Sequence, residues 1–394
     1  MKKNLLPLLK ISKPLFDVFV GAGFDKGLII IVSLFLVEYI GLENYGKWSV
    51  FYQFIIIGGN ILINPQVALY KIKSGEQKFN IFDSNKLILS ITFIALITLV
   101  FFDDRETGLF AFISIISLFI YQYLNTVHRF TSKTYNYTLN SGVRFFVFLL
   151  TFAVGLKFLQ NTFIALVYSY VISLFIVIAF RHRYLLNHEF LRISDKKEYY
   201  LLLVYGLIST LSTGVDKLVL EKSNLNIEII GLYAYVLSLA NIPNFTIEVV
   251  YKTIQPRIFS SFRKGVPFTE EIKSQIKLGQ LAIVLSNLII PISFYYLSLN
   301  LGIISREFAA NIKISWILAS SFIMAVYSFY HFYNMKIIHN NSTGKLSQFM
   351  VIICCFYLLL FLSKVNNDIS LILGVRFIVL ASITLIAMRM NHKL

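Results

Sequence analysis

Charge is scarce in this chain, and acid is scarcer than base: 20 Asp or Glu and 36 Lys or Arg make up 14% of 394 residues. Against 57% hydrophobic residues, that is too little polar surface for a soluble fold of this length. The two cysteines, Cys354 and Cys355, are adjacent in an apolar run. They exclude a disulfide framework, make no metal site alone, and read as packing residues. The chain lacks a phosphate-cradling Gly loop, zinc-ligand spacing and a nucleophile elbow, so no catalytic residue, metal or cofactor is nominated. No segment between apolar runs exceeds about 27 residues, which leaves no room for a soluble catalytic domain on either face.

What is present is a succession of long apolar runs, with a mean hydropathy of +0.72. Twelve reach membrane-crossing length or nearly so: 14–37, 49–70, 87–102, 108–127, 143–159, 162–180, 199–220, 229–251, 279–299, 314–333, 346–363 and 369–388. The third is short. These runs predict an all-α integral membrane fold. The first has span length and no small-residue cleavage site, so it reads as a span rather than a cleaved signal.

The net charge of +16 raises the question of nucleic acid, and its distribution answers no. With the N-terminus inside and the loops alternating, the inner side holds 26 Lys/Arg and 8 Asp/Glu, the outer side 7 and 9. An inner excess of +18 against −2 outside is the positive-inside pattern, with both termini cytoplasmic. It adds some attraction to anionic membrane lipid.

Inside the spans, ionised residues are few. Asp25-Lys26 lies in the first and Asp216-Lys217 in the seventh, 191 residues apart. A charge at the centre of a bilayer helix costs about 2.5–3.5 kcal/mol on insertion scales, so each needs a partner or a wet cavity. Adjacent residues point about 100° apart on a helix, so neither pair neutralises itself. Partners must come from other helices, water or a substrate.

The halves echo each other further. Tyr45-Gly46-Lys47-Trp48-Ser49-Val50 follows the first pair, and Ile230-Gly231-Leu232-Tyr233-Ala234-Tyr235 the second. Each leads into a span with an Asn/Pro cluster: Asn60, Asn64 and Pro65, then Asn241, Pro243 and Asn244. Six spans separate the equivalents, which predicts parallel repeats: an N-terminal lobe over 1–190 and a C-terminal lobe over 191–394, with the transport site between them.

On these residues, with the stretches Gly41–Trp48 and Gly214–Lys217, the chain resembles the polysaccharide flippases (Wzx-type, O-antigen and capsule exporters). They belong to the multidrug/oligosaccharidyl-lipid/polysaccharide (MOP) exporter superfamily. The resemblance implies a V-shaped pair of six-helix lobes that alternate between inward-open and outward-open states in the bacterial inner membrane. It implies as substrate an undecaprenyl-diphosphate-linked oligosaccharide, turned from the cytoplasmic to the outer leaflet without covalent chemistry. A glycan polymerase and glycosyltransferases of the same pathway are the expected protein partners.

A diphosphate headgroup crossing the membrane calls for buried cations and polar walls. Lys26, Lys217 and Arg376 are the candidates within spans. Arg144, at the inner end of the fifth, either reaches in or marks the cytoplasmic boundary. Asp25, Asp216 and Glu248 either hold these cations in place or bind a coupling ion. Polar stripes at helical spacing offer cavity faces: Gln53, Asn60 and Asn64 on span 2, Asn241, Asn244 and Glu248 on span 8, and Tyr327, Tyr330 and His331 on span 10. Interhelical hydrogen bonding explains the same stripes.

Two alternatives stand beside the flippase. A cation-coupled drug exporter of the same superfamily would favour an acidic pocket, whereas here lysines sit beside the key acids. A membrane glycan polymerase or glycosyltransferase would need a sizeable outer loop, and the acidic pair Asp103-Asp104 sits on a very short one.

Overall fold

The computed structural model describes residues 13–73, 84–130, 133–186, 203, 204, 206, 210, 214–223, 225–243, 270–339, 343–362 and 368–392. Among these, regular structure is helix throughout. The first helix, α1 (Lys13–Ile30), passes into a π-helical stretch (Ile31–Phe35), where Leu36 N–H reaches back five residues to the Ile31 carbonyl at 3.2 Å. A short α2 (Val37–Ile40) ends at Gly41, whose φ of +79° turns the chain into α3 (Leu42–Lys73). There follow α4 (Ser84–Phe101), α5 (Arg105–Phe130), α6 (Thr134–Phe158) and α7 (Thr162–Leu186). The second half contributes α8 (Asp216–Lys222), α9 (Ile227–Asn241), α10 (Glu270–Asn300) and α11 (Arg306–Ala310). It closes with α12 (Ile314–His339), α13 (Thr343–Leu362) and α14 (Ile369–His392).

Among the described residues, six helical stretches are long and apolar enough to cross a membrane; they stand at the expected first, fourth, fifth, sixth, ninth and twelfth spans. Shorter apolar helices occupy the third, eighth, tenth and eleventh. The expected second span, α3, runs 32 residues, and Glu43, Lys47, Gln53 and Asn60 dilute its apolar character. Its helix continues through Pro65. Within the expected eighth span α9 ends at Asn241 and 242–243 form a turn; the rest of that span, 244–251, lies outside the described residues.

Packing divides the helices into two groups. Helix α1 lies along α6, α6 along α7, and α5 against α3 and α7. In the second group α12 packs on α10, α9 and α14, and α13 on α14 and α8. The groups meet chiefly where α3 crosses α9. Small residues set the closest approaches. A Cβ at Gly21 would sit 2.6 Å from the Tyr137 ring and one at Gly27 3.2 Å from Phe145, so α1 presses tightly onto α6. Outward faces carry exposed Leu99, Leu150, Leu285 and Leu359, the pattern of a lipid-facing surface.

Candidate functional site

The tight α1–α6 contact brings Asp25 into a polar cluster inside the first group. Tyr121 of α5 donates a hydrogen bond to Asp25 Oδ1, and Tyr137 of α6 donates to Oδ2 at 3.2 Å. Arg144 of α6 stands with Nη1 3.7 Å from Oδ1. Its guanidinium lies over the rings of Tyr121 and Tyr170, 4.8 and 5.1 Å from their centroids. Ser141 completes the cluster at 3.1 Å from the Tyr121 hydroxyl. Two turns before Asp25 on α1, Thr134 donates to Asp17 at 2.9 Å, and Thr138 to the Asp17 carbonyl at 2.6 Å.

Helix α8 builds the counterpart in the second group. Asp216, 1% exposed, forms an ion pair with Arg376 of α14 and accepts a 2.5 Å hydrogen bond from the Tyr233 hydroxyl of α9. Its Oδ1 takes the Lys217 N–H at 3.0 Å. Tyr357, fully buried on α13, lies beside the pair. Both clusters follow one scheme, a carboxylate held by tyrosine and arginine, although the arginines come from differently placed helices of the two groups, α6 and α14. A buried ion pair of this kind adds little net stability but costs about 3–5 kcal/mol when one partner is removed.

Arg144 and Arg376, 6% and 5% exposed, are therefore interior cations committed to Asp25 and Asp216. Lys26 is half-buried on α1. Lys217 differs: its acidic neighbour is taken by Arg376 and Tyr233, and no carboxylate among the described residues pairs with its ammonium. Lys217 lies one turn from Gly214 along a backbone that stays helical through Val215, so the two share a face. Gly214 packs against the Gln53 amide of α3, and that face therefore looks across to the first group.

Gln53 and Asn60 remain on one stripe of α3. Asn241 spends one amide bond on its own helix, donating to the Leu237 carbonyl at 2.8 Å. Tyr327 stacks on Tyr330 with centroids 5.4 Å apart. The side chains of Asn64 and His331, and all of Asn244 and Glu248, lie outside the described residues. The acidic pair of the α4–α5 turn has structural employment. Asp104 caps α5 by accepting from Glu106 N–H (3.2 Å), Thr107 N–H (2.9 Å) and the Thr107 hydroxyl (2.6 Å), which holds its carboxyl below the usual range. Asp103 stands 3.9 Å from Lys222.

Sequence reasoning missed the tyrosines. Among 60 Phe and Tyr residues none stands out by count. A usable signal existed in spacing: Tyr137, Ser141 and Arg144 recur at i, i+4 and i+7, one polar stripe along the helix. Tyr233 sits two residues beyond Gly231, inside the repeated segment itself.

No family model matches this sequence, and no curated protein does. Solved structures do. An outward-facing multidrug resistance MATE family transporter of the MOP superfamily superposes with a TM-score of 0.59 at 12% identity, over 96% of this chain and 94% of the other. A MATE structure in complex with Br-NRF gives 0.56 at 11%, over 98% and 96%. A MOP superfamily transporter from Pyrococcus furiosus, described as having a binding pocket of reversed polarity and a different function, gives 0.54 at 12%, over 96% and 94%. The chain thus shares, along nearly its whole length, the helical fold of these solved MATE and MOP superfamily transporters.

Proposed function

We propose that this protein is a flippase for an undecaprenyl-diphosphate-linked oligosaccharide, an O-antigen or capsule repeat unit. It turns the unit from the cytoplasmic to the outer leaflet of the bacterial inner membrane by alternating access. Twelve spans in two parallel six-helix lobes, 1–190 and 191–394, with both termini cytoplasmic, complete the proposal.

One observation carries it. At the face between the two helix groups, no carboxylate among the described residues pairs with the Lys217 ammonium, while Asp216 is taken by Arg376 and Tyr233. That cluster and Lys217 together carry a formal charge of +1, and burying it is favourable only with an anion to meet it. A diphosphate supplies one. Gln53, Asn60 and Asn241 supply amides on α3 and α9 for sugar hydroxyls. Lys26 offers the matching cation of the other lobe, and Tyr327, Asn64, Asn244 and His331 extend the polar wall. In this reading Asp25 and Asp216 are scaffold acids that hold Arg144 and Arg376 away from substrate, with Glu248 free for ion coupling. The pathway's polymerase and glycosyltransferases are the proposed partners.

The fold also suits a cation-coupled drug exporter, since two of the structures it matches are MATE transporters. Titration of nanodisc-embedded protein with undecaprenyl diphosphate and with a lipophilic cation separates the two. Flippase function predicts diphosphate binding that Lys217→Ala weakens at least tenfold. Cation binding unaffected by Lys217→Ala, with no diphosphate binding, would overturn it.

A further inference from the structure

Where α3 crosses α9, the two repeat-equivalent glycines meet the opposite helix reciprocally. A Cβ on Gly46 would collide with the Ile227 carbonyl oxygen, and one on Gly231 with the Leu42 carbonyl oxygen. Ile227 lies four residues before Gly231, and Leu42 four before Gly46. Each glycine therefore sits against the first turn of the other glycine's helix, an arrangement related by a pseudo-twofold axis. Both obstacles are backbone atoms, which no rotamer change can move aside.

Other contacts between the groups gather at the same end. The Ser305 N–H donates to Glu38 Oε2 at 2.6 Å, and the hydroxyls of Tyr45 and Ser238 are 3.1 Å apart. Lys222 stands 3.9 Å from Asp103 and 4.8 Å from the Phe101 ring centroid. The glycines thus form the steric centre of a seam rimmed by polar pairs.

We infer that Gly46 and Gly231 are the closing surface of the gate at this end of the protein. Their missing side chains let α3 and α9 meet in the closed state and so set the balance between closed and open. The inference rests on the alternating-access reading above. A methyl on either glycine must push the crossing apart by roughly an ångström, a cost borne only by the closed state. Gly46→Ala and Gly231→Ala should therefore raise the open-to-closed ratio at this end on the order of tenfold or more.

The test is double electron–electron resonance in nanodiscs on the full chain, with Cys354 and Cys355 replaced by Ala. Spin labels go at the exposed positions Tyr39 and Glu307, on opposite sides of the seam. The parent should give predominantly the short distance, and each glycine variant a new, longer population. Gly59→Ala is the control: its Cβ would meet the Leu118 side chain at 3.0 Å inside the first group, so the seam distance should not change. The pair Glu38→Gln and Lys222→Met introduces no bulk and should lengthen the distance in the same sense, covering the case in which a glycine variant fails to fold. Distance distributions unchanged in the glycine variants, or in the Glu38→Gln/Lys222→Met protein should neither glycine variant fold, would overturn the inference. Since the labels report on protein without substrate, a seam that responds in a protein unable to move lipid-linked glycan would refute the flippase reading and leave the gate standing.

Discussion

Replacing Arg376 by Met keeps a side chain of similar reach beside Asp216 but removes its charge. Asp216 is 1% exposed and Arg376 5%, so water cannot take the cation's place. Lys217 cannot either, because it points about 100° away around α8. The carboxylate left behind keeps the Tyr233 hydroxyl and the Lys217 N–H. Removing one partner of a buried pair costs about 3–5 kcal/mol. Taking the second helix group as the unfolding unit, each kcal/mol is worth roughly 2–4 °C, so Arg376→Met should melt about 6–20 °C below the parent in nanodiscs. Adding Asp216→Asn removes the stranded charge and should restore most of the loss, giving a double-mutant cycle with a coupling of about 2 kcal/mol or more. A single variant that melts with the parent, or a double variant no better than Arg376→Met, would show that the pair is not the structural device described.

Lys217→Ala should behave in the opposite way: export falls sharply while thermal stability stays within about 0.5 kcal/mol of the parent, because no ion pair is lost; Lys217→Arg, which keeps the charge, should retain part of the export. Asp25→Ala removes the carboxylate that faces Arg144 and accepts from Tyr121 and Tyr137, and should cost about 3 kcal/mol or more in unfolding experiments, against about 1 kcal/mol for Tyr137→Phe. The Asp104 cap has a pH signature. Its folded carboxyl titrates below the unfolded value of about 4, so the cap's contribution is present above that pH and is lost as the pH falls through the folded value; amide exchange at Glu106 and Thr107 should rise there, and in Asp104→Ala at any pH.

Hydropathy made the helical membrane fold legible because lipid permits so few backbone solutions. It does not register local backbone departures such as the turn at 242–243 or the π-helical stretch after Ile30. The need of Asp25 and Asp216 for partners on other helices followed from burial cost alone. Which groups answer it did not, since the tyrosines of both clusters are drawn from 23 spread along the chain. Arg144 was ambiguous for a related reason: its place at a span end fixes its depth along the helix but not its direction, and it turns inward to Asp25. The repeat glycines were visible as an echo, yet Asp25 and Gly46 are 21 residues apart and Asp216 and Gly231 only 15, so no single offset aligns both motifs. Their reciprocal contact belongs to the crossing of two helices, which no local pattern encodes.

The central claim is tested most directly by leaflet-resolved detection of undecaprenyl-linked oligosaccharide in cells lacking this protein. They would be complemented with the parent, with Lys217→Ala, or with nothing. The account predicts accumulation on the cytoplasmic face without the protein, relieved by the parent and not by the Lys217 variant at equal membrane abundance. A normal distribution of the lipid-linked glycan in cells without the protein would contradict it and move export of another solute to first place.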